Sequence, residues 1–311
     1  TVGISQALSA FDFEQGDTII TTRVDYSSNQ IMLLNLARRH GVSIVRAEDL
    51  ADGGVDPDSV QELIKKHQPK LVLMSWIPTH RGLIQDAESV GEICRESDTP
   101  FLLDACQAVG QLPIDVAKVR CDFLAATSRK FLRGPRGIGF LYVSDRMLEK
   151  GMAPLYPDTH GARWIEADRF ELQEGARRFE NWESAVALKL GMGRAAEYAS
   201  DIGLEVIMNR SFLLAKNVRD KLQNVPGVAV LDRGKETCAI VSLGIDGGHS
   251  GELVKKLRKR NVNTSAATRT ASVIDMDNMK YTSILRVSPH YYNTEEEIDS
   301  CVYAIDDVVN G

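Results

Sequence analysis

Several things are scarce in this 311-residue chain, and each scarcity excludes a class. Five cysteines, Cys94, Cys106, Cys121, Cys238 and Cys301, are widely spaced and form no CxxC pair. A disulfide framework and a structural zinc site are therefore not expected, and neither is any other metal site; a reducing cytoplasm is the expected setting. No run reaches the ~20 uncharged apolar residues of a membrane helix, and no basic leader with an apolar stretch opens the chain. There is no cationic excess: 37 Lys and Arg against 43 Asp and Glu give a net charge of −6. That balance is not the footprint of a nucleic-acid or anionic-membrane binder. Internal repeats and low-complexity tracts are absent too. With 43% hydrophobic and 26% charged residues the chain reads as an ordinary globular protein. It starts at Thr1 inside a helical pattern, so further residues upstream are expected.

What is present is an alternation of short apolar runs with amphipathic stretches. Asp17–Thr22, Val42–Val45, Lys70–Trp76, Pro100–Asp104, Asp122–Thr127 and Ile138–Val143 read as strands, being apolar or β-branched and bounded by Gly, Pro, Asp or Ser. Ser28–His40, Asp58–His67 and Ala87–Glu96 carry helical periodicity. Repeated strand–helix–strand units predict an α/β fold, a mostly parallel sheet with helices on both faces and ligands at the carboxyl ends of the strands. Gly151–Glu180 reads as a long polar connection, and Ser184–Leu222 as a long helix broken near Gly203. Strands near Val228–Leu231, Thr237–Leu243 and Ile284–Ser288, a basic helix Glu252–Arg260 and a last helix opened by the Thr294/Glu297 capping box suggest a smaller α+β domain. The division expected is a large domain over 1–200 and a small C-terminal domain over 201–311.

Three features converge on one cofactor. Asp104 ends the buried run PFLLD, where a carboxylate is costly unless a cationic group meets it. Gln107 follows one short turn later. Lys130, in TSRKFLRGPRGIGFLYV, comes just after another strand and before a Gly/Pro turn. A lysine at a strand end beside a buried aspartate suits pyridoxal phosphate: the lysine holds the aldehyde as a Schiff base and the aspartate keeps the pyridine nitrogen protonated. Singly the signals have bland readings, Asp104 as a helix cap and Lys130 as a surface lysine. The GPRGIG glycines lead into a strand rather than a helix, which argues against a nucleotide loop.

The run LLDACQAVGQLPIDV…CDFLAATSRKFLRGPRGIGFLYV resembles the core signature of class V, fold-type-I pyridoxal-phosphate enzymes, a group holding cysteine desulfurases, selenocysteine lyases, ergothioneine-type C–S lyases and isopenicillin N epimerase-like proteins. TVGISQAL resembles that family's phosphate-binding helix start, and LRVSPHYYNTEEEID its C-terminal signature. The resemblance implies a homodimer binding a small amino-acid substrate. It implies that Lys130 carries the cofactor, Asp104 meets the ring nitrogen, and Gln107 and Thr79 meet the ring hydroxyl region. Thr127 would bind phosphate with the free N–H groups near Thr1 and Val2, Tyr26 would stack on the ring, and Arg286 would clamp the substrate carboxylate.

Other readings stay open for several of these residues. Tyr26 could be packing and Arg286 an interdomain salt bridge; Arg129 could touch phosphate or serve structural pairing. His80 and Arg81 could line the substrate entrance or form a surface turn. His160 and Trp164 fit a pocket rim or a dimer contact. Cys106 reads as a small buried hydrophobe.

The departures from the family pattern carry the reaction. Desulfurases place a thiolate on a mobile loop before the C-terminal signature, and the matching stretch here, Asn263–Asp275, has no cysteine. Cys238 falls in a predicted strand and Cys301 in the last helix. RRFENWES (Arg177–Ser184) stands where the family has a phosphate-binding element donated across the dimer, leaving Ser184 as a substitute. The expectation is a C–S lyase releasing pyruvate and ammonia from a cysteine S-conjugate or sulfoxide. Epimerisation and transamination are the alternatives, with a non-catalytic relative behind them.

Overall fold

The computed structural model describes residues 1–311. Its first half runs α1 (Val2–Ser9), β1 (Thr18–Thr21), α2 (Ser27–His40), β2 (Ser43–Arg46), α3 (Pro57–His67), β3 (Leu71–Ser75), α4 (Ala87–Glu96), β4 (Phe101–Asp104), α5 (Val116–Val119), β5 (Phe123–Thr127), β6 (Gly139–Val143) and α6 (Asp145–Glu149). The strands form one sheet in the order β2-β1-β3-β4-β5-β6, parallel except for β6, which runs antiparallel to β5. All six strands and three main helices fall where the sequence periodicity predicts them.

The apolar runs are continuous because both faces are covered. Leu71, Leu73, Leu102 and Phe123 pack into one cluster with Ile4 and Leu8 of α1 and Leu33 of α2. Val72, Met74, Leu103 and Leu124, one residue out of phase, pack into the other with Val60 of α3 and Val90 of α4. Parallel strands so buried release the chain at their carboxyl ends, where loops are free to carry polar side chains.

The second half continues through β7 (Ala162–Glu166), β8 (Arg169–Leu172), α7 (Val186–Ile202), α8 (Leu204–Leu222), β9 (Val228–Val230), β10 (Val241–Ile245), α9 (Ser250–Arg258), β11 (Ser265–Thr268), α10 (Val273–Asp277), β12 (Ser283–Val287) and α11 (Glu295–Asn310). The helix break falls at Gly203, whose φ of 95° is open to glycine and strained for other residues. The capping box at Thr294 and Glu297 is formed. Strands β9 to β12 make an antiparallel sheet in the order β11-β12-β10-β9. Leu214, Cys238, Val241 and Leu285 belong to the same apolar cluster as Val72 and Leu103, so the C-terminal sheet packs on one side of the parallel one.

Two expectations are corrected, and a third segment is defined. Gly151–Glu180 contains a hairpin, β7–β8, and a short 3-10 turn at Gly175–Phe179 rather than bare connection. The strand expected over Thr237–Leu243 begins only at Val241, because the segment before it bonds elsewhere: Cys238 N–H donates to Gly82 O at 2.7 Å and Ala239 N–H to Gln111 Oε1 at 3.1 Å. Asn263–Asp275 is not a loose loop. It supplies β11, paired along its length with β12, and most of α10.

Candidate active site

Asp104 is the last residue of β4, paired in register with Ser75 of β3 and only 4% exposed. Its carboxylate accepts from Asn29 Nδ2 at 2.8 Å and from the Cys106 N–H at 3.0 Å, and it forms no ion pair. A carboxylate buried at a strand end with two neutral donors still has lone pairs to give. Asn29 itself is fully buried, and its Oδ1 has no partner. Gln107, 3% exposed, uses its backbone carbonyl for Gln111 while its side-chain amide bonds to nothing in the protein.

Lys130 follows β5 by three residues, in a turn closed by Arg133 N–H to Lys130 O at 2.9 Å. Gly110 lets that turn pack against the Gln107 segment: a Cβ there would lie 2.1 Å from Leu132 N, and its φ is +91°. Lys130 Nζ makes no hydrogen bond or ion pair and lies 5.8 Å from the centroid of the Tyr26 ring. Burial pushes its pKa down, aided by Arg129 and Arg286 and opposed by Cys106 and Asp104. Asp104, Cys106 and Lys130 thus share one electrostatic neighbourhood. Helix α1 packs against β4, β5 and β6, and its first N–H groups, near Thr1 and Val2, are unpaired by a side-chain cap.

Tyr26 precedes α2, half-buried, its N–H on Ser75 Oγ at 3.1 Å. Asp25 beside it fixes the entry: it accepts from Thr22 N–H at 2.8 Å, Ser75 N–H at 2.6 Å and the Thr21 hydroxyl, while burial raises its pKa despite those bonds. Thr127 is half-buried, with a long 3.5 Å bond to Ile138 O, so its hydroxyl is little committed. Arg129 is exposed and forms no ion pair within the chain.

Arg286 lies mid-strand in β12, opposite Ser242 of β10 and Ser265 of β11. Its Nη1 donates to Thr79 O at 2.6 Å, its buried Nε has no partner, and no carboxylate pairs with it. The interdomain salt bridge is absent. A buried guanidinium with unmet donors is a ready receptor for a carboxylate. Thr79 is drawn into the site through that same carbonyl.

His80 departs from expectation. It is 1% exposed, neither entrance nor surface turn, with Nε2 at 2.6 Å from Asp275 Oδ2. Arg81 forks onto the same carboxylate, Nε at 2.6 Å and Nη2 at 2.9 Å. Burial opposes the charge on Asp275, but His80 and Arg81 outweigh it and hold the carboxyl below its ordinary range. His160 is drawn to Glu180 at 3.4 Å, Trp164 sits exposed on the hairpin, and Ser184 is exposed before α7. None of the three is brought to Lys130 by a contact.

No thiol here is poised to ionise. Burial pushes Cys106 up to about 12, with Asp104 adding to it; Cys121 and Cys238 rise to about 12, Cys301 to about 11, and Cys94 further still. Sequence reasoning missed Asn29, Asp25 and Asp275. Asn29 was within reach, since it stands three residues after Tyr26 in the first turn of a helix and so shares its face. Asp275 had no local signal at all.

Known proteins resemble this chain over nearly its whole length. The family model for aminotransferase class-V matches residues 3–301. A probable cysteine desulfurase of Borreliella burgdorferi is 30% identical over 99% of this chain and 75% of its own. One of Pyrococcus abyssi is 26% identical over 96% of this chain and 73% of its own. Among solved structures, the apo cysteine desulfurase of Thermococcus onnurineus NA1 superposes with a TM-score of 0.91 at 24% identity, covering 100% of this chain and 77% of that one. The cystine C–S lyase C-DES, in complex with cysteine persulfide, does so at 0.85 and 22%, covering 98% and 79%. At these identities the structural matches speak for the fold.

Proposed function

Because the chain belongs to the aminotransferase class-V family, and so to pyridoxal-phosphate-dependent enzymes, we propose that it cleaves the C–S bond of a cysteine derivative by β-elimination, without an enzyme thiol. The residues present fit the cofactor. Asn29 Oδ1 is buried without a partner, as polar groups rarely are, and buried Asp104 and Gln107 and half-buried Lys130 retain bonding capacity near it. Lys130 would hold the aldehyde, Asp104 a proton at the pyridine nitrogen, and Gln107 the ring hydroxyl. Thr127, Arg129 and the start of α1 would hold the phosphate, and Tyr26 would cover the ring. Bound there, pyridoxal phosphate supplies a sink for the electron pair left at the substrate Cα.

The rest falls to the chain's own side chains. Arg286 binds the substrate carboxylate and orients the Cα–H. Lys130, its pKa lowered by burial, carries a larger neutral fraction than a surface lysine and removes that proton. The Cβ–S bond breaks with both electrons leaving on sulfur; addition of water to the three-carbon remainder yields pyruvate and ammonia. A stabilised sulfur leaving group needs no further acid from the protein.

The observation that carries this reading is the state of the thiols. A desulfurase route, the second reading, is favoured by the names of the relatives. It requires a thiolate to attack substrate sulfur, yet all five thiols are pushed up and the 263–275 stretch is a paired strand and helix. Epimerisation would need an acid on the opposite face, where Tyr26 is the single candidate. The test is product analysis with cofactor-loaded protein on cysteine, cystine, S-conjugates and their sulfoxides. Pyruvate with ammonia supports elimination. Alanine with protein-bound persulfide overturns it in favour of the desulfurase. Racemised or transaminated amino acid overturns both.

The proposal extends to assembly. Exposed Trp164 and Phe170 on the hairpin, with Trp182 ahead of α7 and Val186 at its start, support a homodimer, and a monomer in light scattering with full cofactor content contradicts it. The division into 1–200 and 201–311 is supported by the two separate sheets. No helix is long and apolar enough to cross a membrane.

A further inference from the structure

Residues 79–82 join the parallel sheet to the C-terminal sheet in an unusual way: every one of the four bonds across. Thr79 O accepts from Arg286 Nη1 at 2.6 Å. His80 O accepts from the Ser242 hydroxyl at 2.7 Å, and its ring meets Asp275. Arg81 forks onto Asp275. Gly82 N–H donates to Asp232 at 2.8 Å while its carbonyl accepts from Cys238. Gly82 must be glycine, since a Cβ there would lie 2.0 Å from Ile240 O. Ser242 is also the residue opposite Arg286 in the β10–β12 register.

We propose that Asp275 is a positioning residue for Arg286, fixing through His80 and Arg81 the Thr79 carbonyl that aims the guanidinium at the substrate carboxylate. The inference rests on the carboxylate-binding role given to Arg286 above. The chain of contacts is short. Thr79 O is the single hydrogen-bond partner of the Arg286 guanidinium, which therefore points where that carbonyl lets it. The carbonyl belongs to a peptide whose next two side chains are both held by one carboxylate from α10. That carboxylate is 15% exposed, and its partners His80 and Arg81 are 1% and 9% exposed, so water competes little for the bonds. Without the charge, His80 and Arg81 have no other acidic partner, and Arg81 keeps only a 3.4 Å contact with Leu231 O. The segment that matches a thiol-bearing loop in the desulfurase pattern is here fastened to His80 and Arg81 by an aspartate.

The experiment compares two ligands that differ by one carboxylate, L-alanine and ethylamine, titrated into cofactor-loaded protein and followed by the cofactor absorbance. Neither has a leaving group at Cβ, so the result is independent of whether C–S bonds are cleaved. Asp275→Asn is expected to weaken alanine about tenfold and leave ethylamine unchanged, with Asp275→Glu recovering part of the loss. Combined with Arg286→Lys it should add little further, as residues in one network do. In cofactor-free protein, Asp275→Asn should speed hydrogen exchange in peptides covering 79–83 and 265–277 and spare β4 and β5. If Asp275→Asn does not fold, Arg81→Lys, which keeps the charge and loses the fork, is read the same way. Equal weakening of alanine and ethylamine, or alanine affinity unchanged, overturns the proposal. Absence of C–S cleavage with the alanine result intact would overturn the proposed reaction and leave this inference standing.

Discussion

Two buried aspartates sit at opposite ends of the same sheet and are treated oppositely. Asp122, just before β5 at the amino end, is 1% exposed and saturated: it accepts from Phe101 N–H at 3.0 Å, Ser144 Oγ at 2.9 Å, Arg146 Nε at 3.0 Å and, on its other oxygen, Arg146 Nη2. Asp104, at the carboxyl end of the neighbouring strand, has two neutral donors and no cation, beside a lysine with no partner at all. Desolvating a charge costs several kcal/mol in either place. At the amino end the fold itself offsets that cost. At the carboxyl end it is left unmet, and unmet polar capacity at a strand end is what a ligand can fill.

Breaking each end should therefore damage a different property. The largest effect belongs to Lys130→Met, which is expected to lower turnover on the order of 10⁴-fold while leaving the protein folded. Borohydride reduction and peptide mapping check the cause: the wild-type adduct should lie on the Lys130 peptide, and an adduct elsewhere removes Lys130 from the site. Asp122→Asn comes next and has the reverse character. Stability should fall by about 3–5 kcal/mol, because Arg146 loses its buried counter-charge, while turnover per folded molecule stays within about twofold. Chemical denaturation with active-site titration separates the two; a large drop in turnover of the folded fraction would mean that the ends are coupled. Arg286→Ala should cost about 2–4 kcal/mol in kcat/KM, and Asp104→Asn should keep fold and cofactor while losing most turnover. Near-normal rates in either would strike it from the site.

Which parts of this were legible in the sequence follows from the range of the signals. Both ends of the parallel sheet could be read, because continuous apolar runs and helix periodicity are local and a strand-terminal Asp or Lys announces itself. The β5–Lys130 turn carried a family signature besides. What escaped was set by partners remote in sequence. The Thr237 strand slipped to Val241 because Gly82 and Gln111 capture its first N–H groups. His80 was expected at an entrance, and only Asp275, 195 residues away, shows why it is buried. The 263–275 stretch, short on apolar residues, gave no strand pattern; its pairing with β12 is a tertiary fact.

The smallest effect tests the comparison from the side of stability, through the same Lys130→Met variant. Burial lowers the pKa of Lys130, so the folded cofactor-free protein binds this proton less tightly than the unfolded chain, whose lysine titrates near ~10.4. Between the lowered folded value and ~10.4 the unfolded state holds more protons, and stability rises with pH there. Below that window the half-buried lysine is a full liability; above it the liability is gone. Met keeps the length of the side chain and removes the charge. At neutral pH the cofactor-free variant should thus be more stable than the wild type, by less than Asp122→Asn costs, and the advantage should shrink as pH climbs toward ~10.4. Taking the difference between the two proteins cancels every other lysine and tyrosine that titrates in the range. Denaturant midpoints at stepped pH values measure it. A gap that is absent at neutral pH, or that widens as pH rises, would show that Lys130 is as well satisfied as Asp122, and the contrast between the two ends of the sheet would fail.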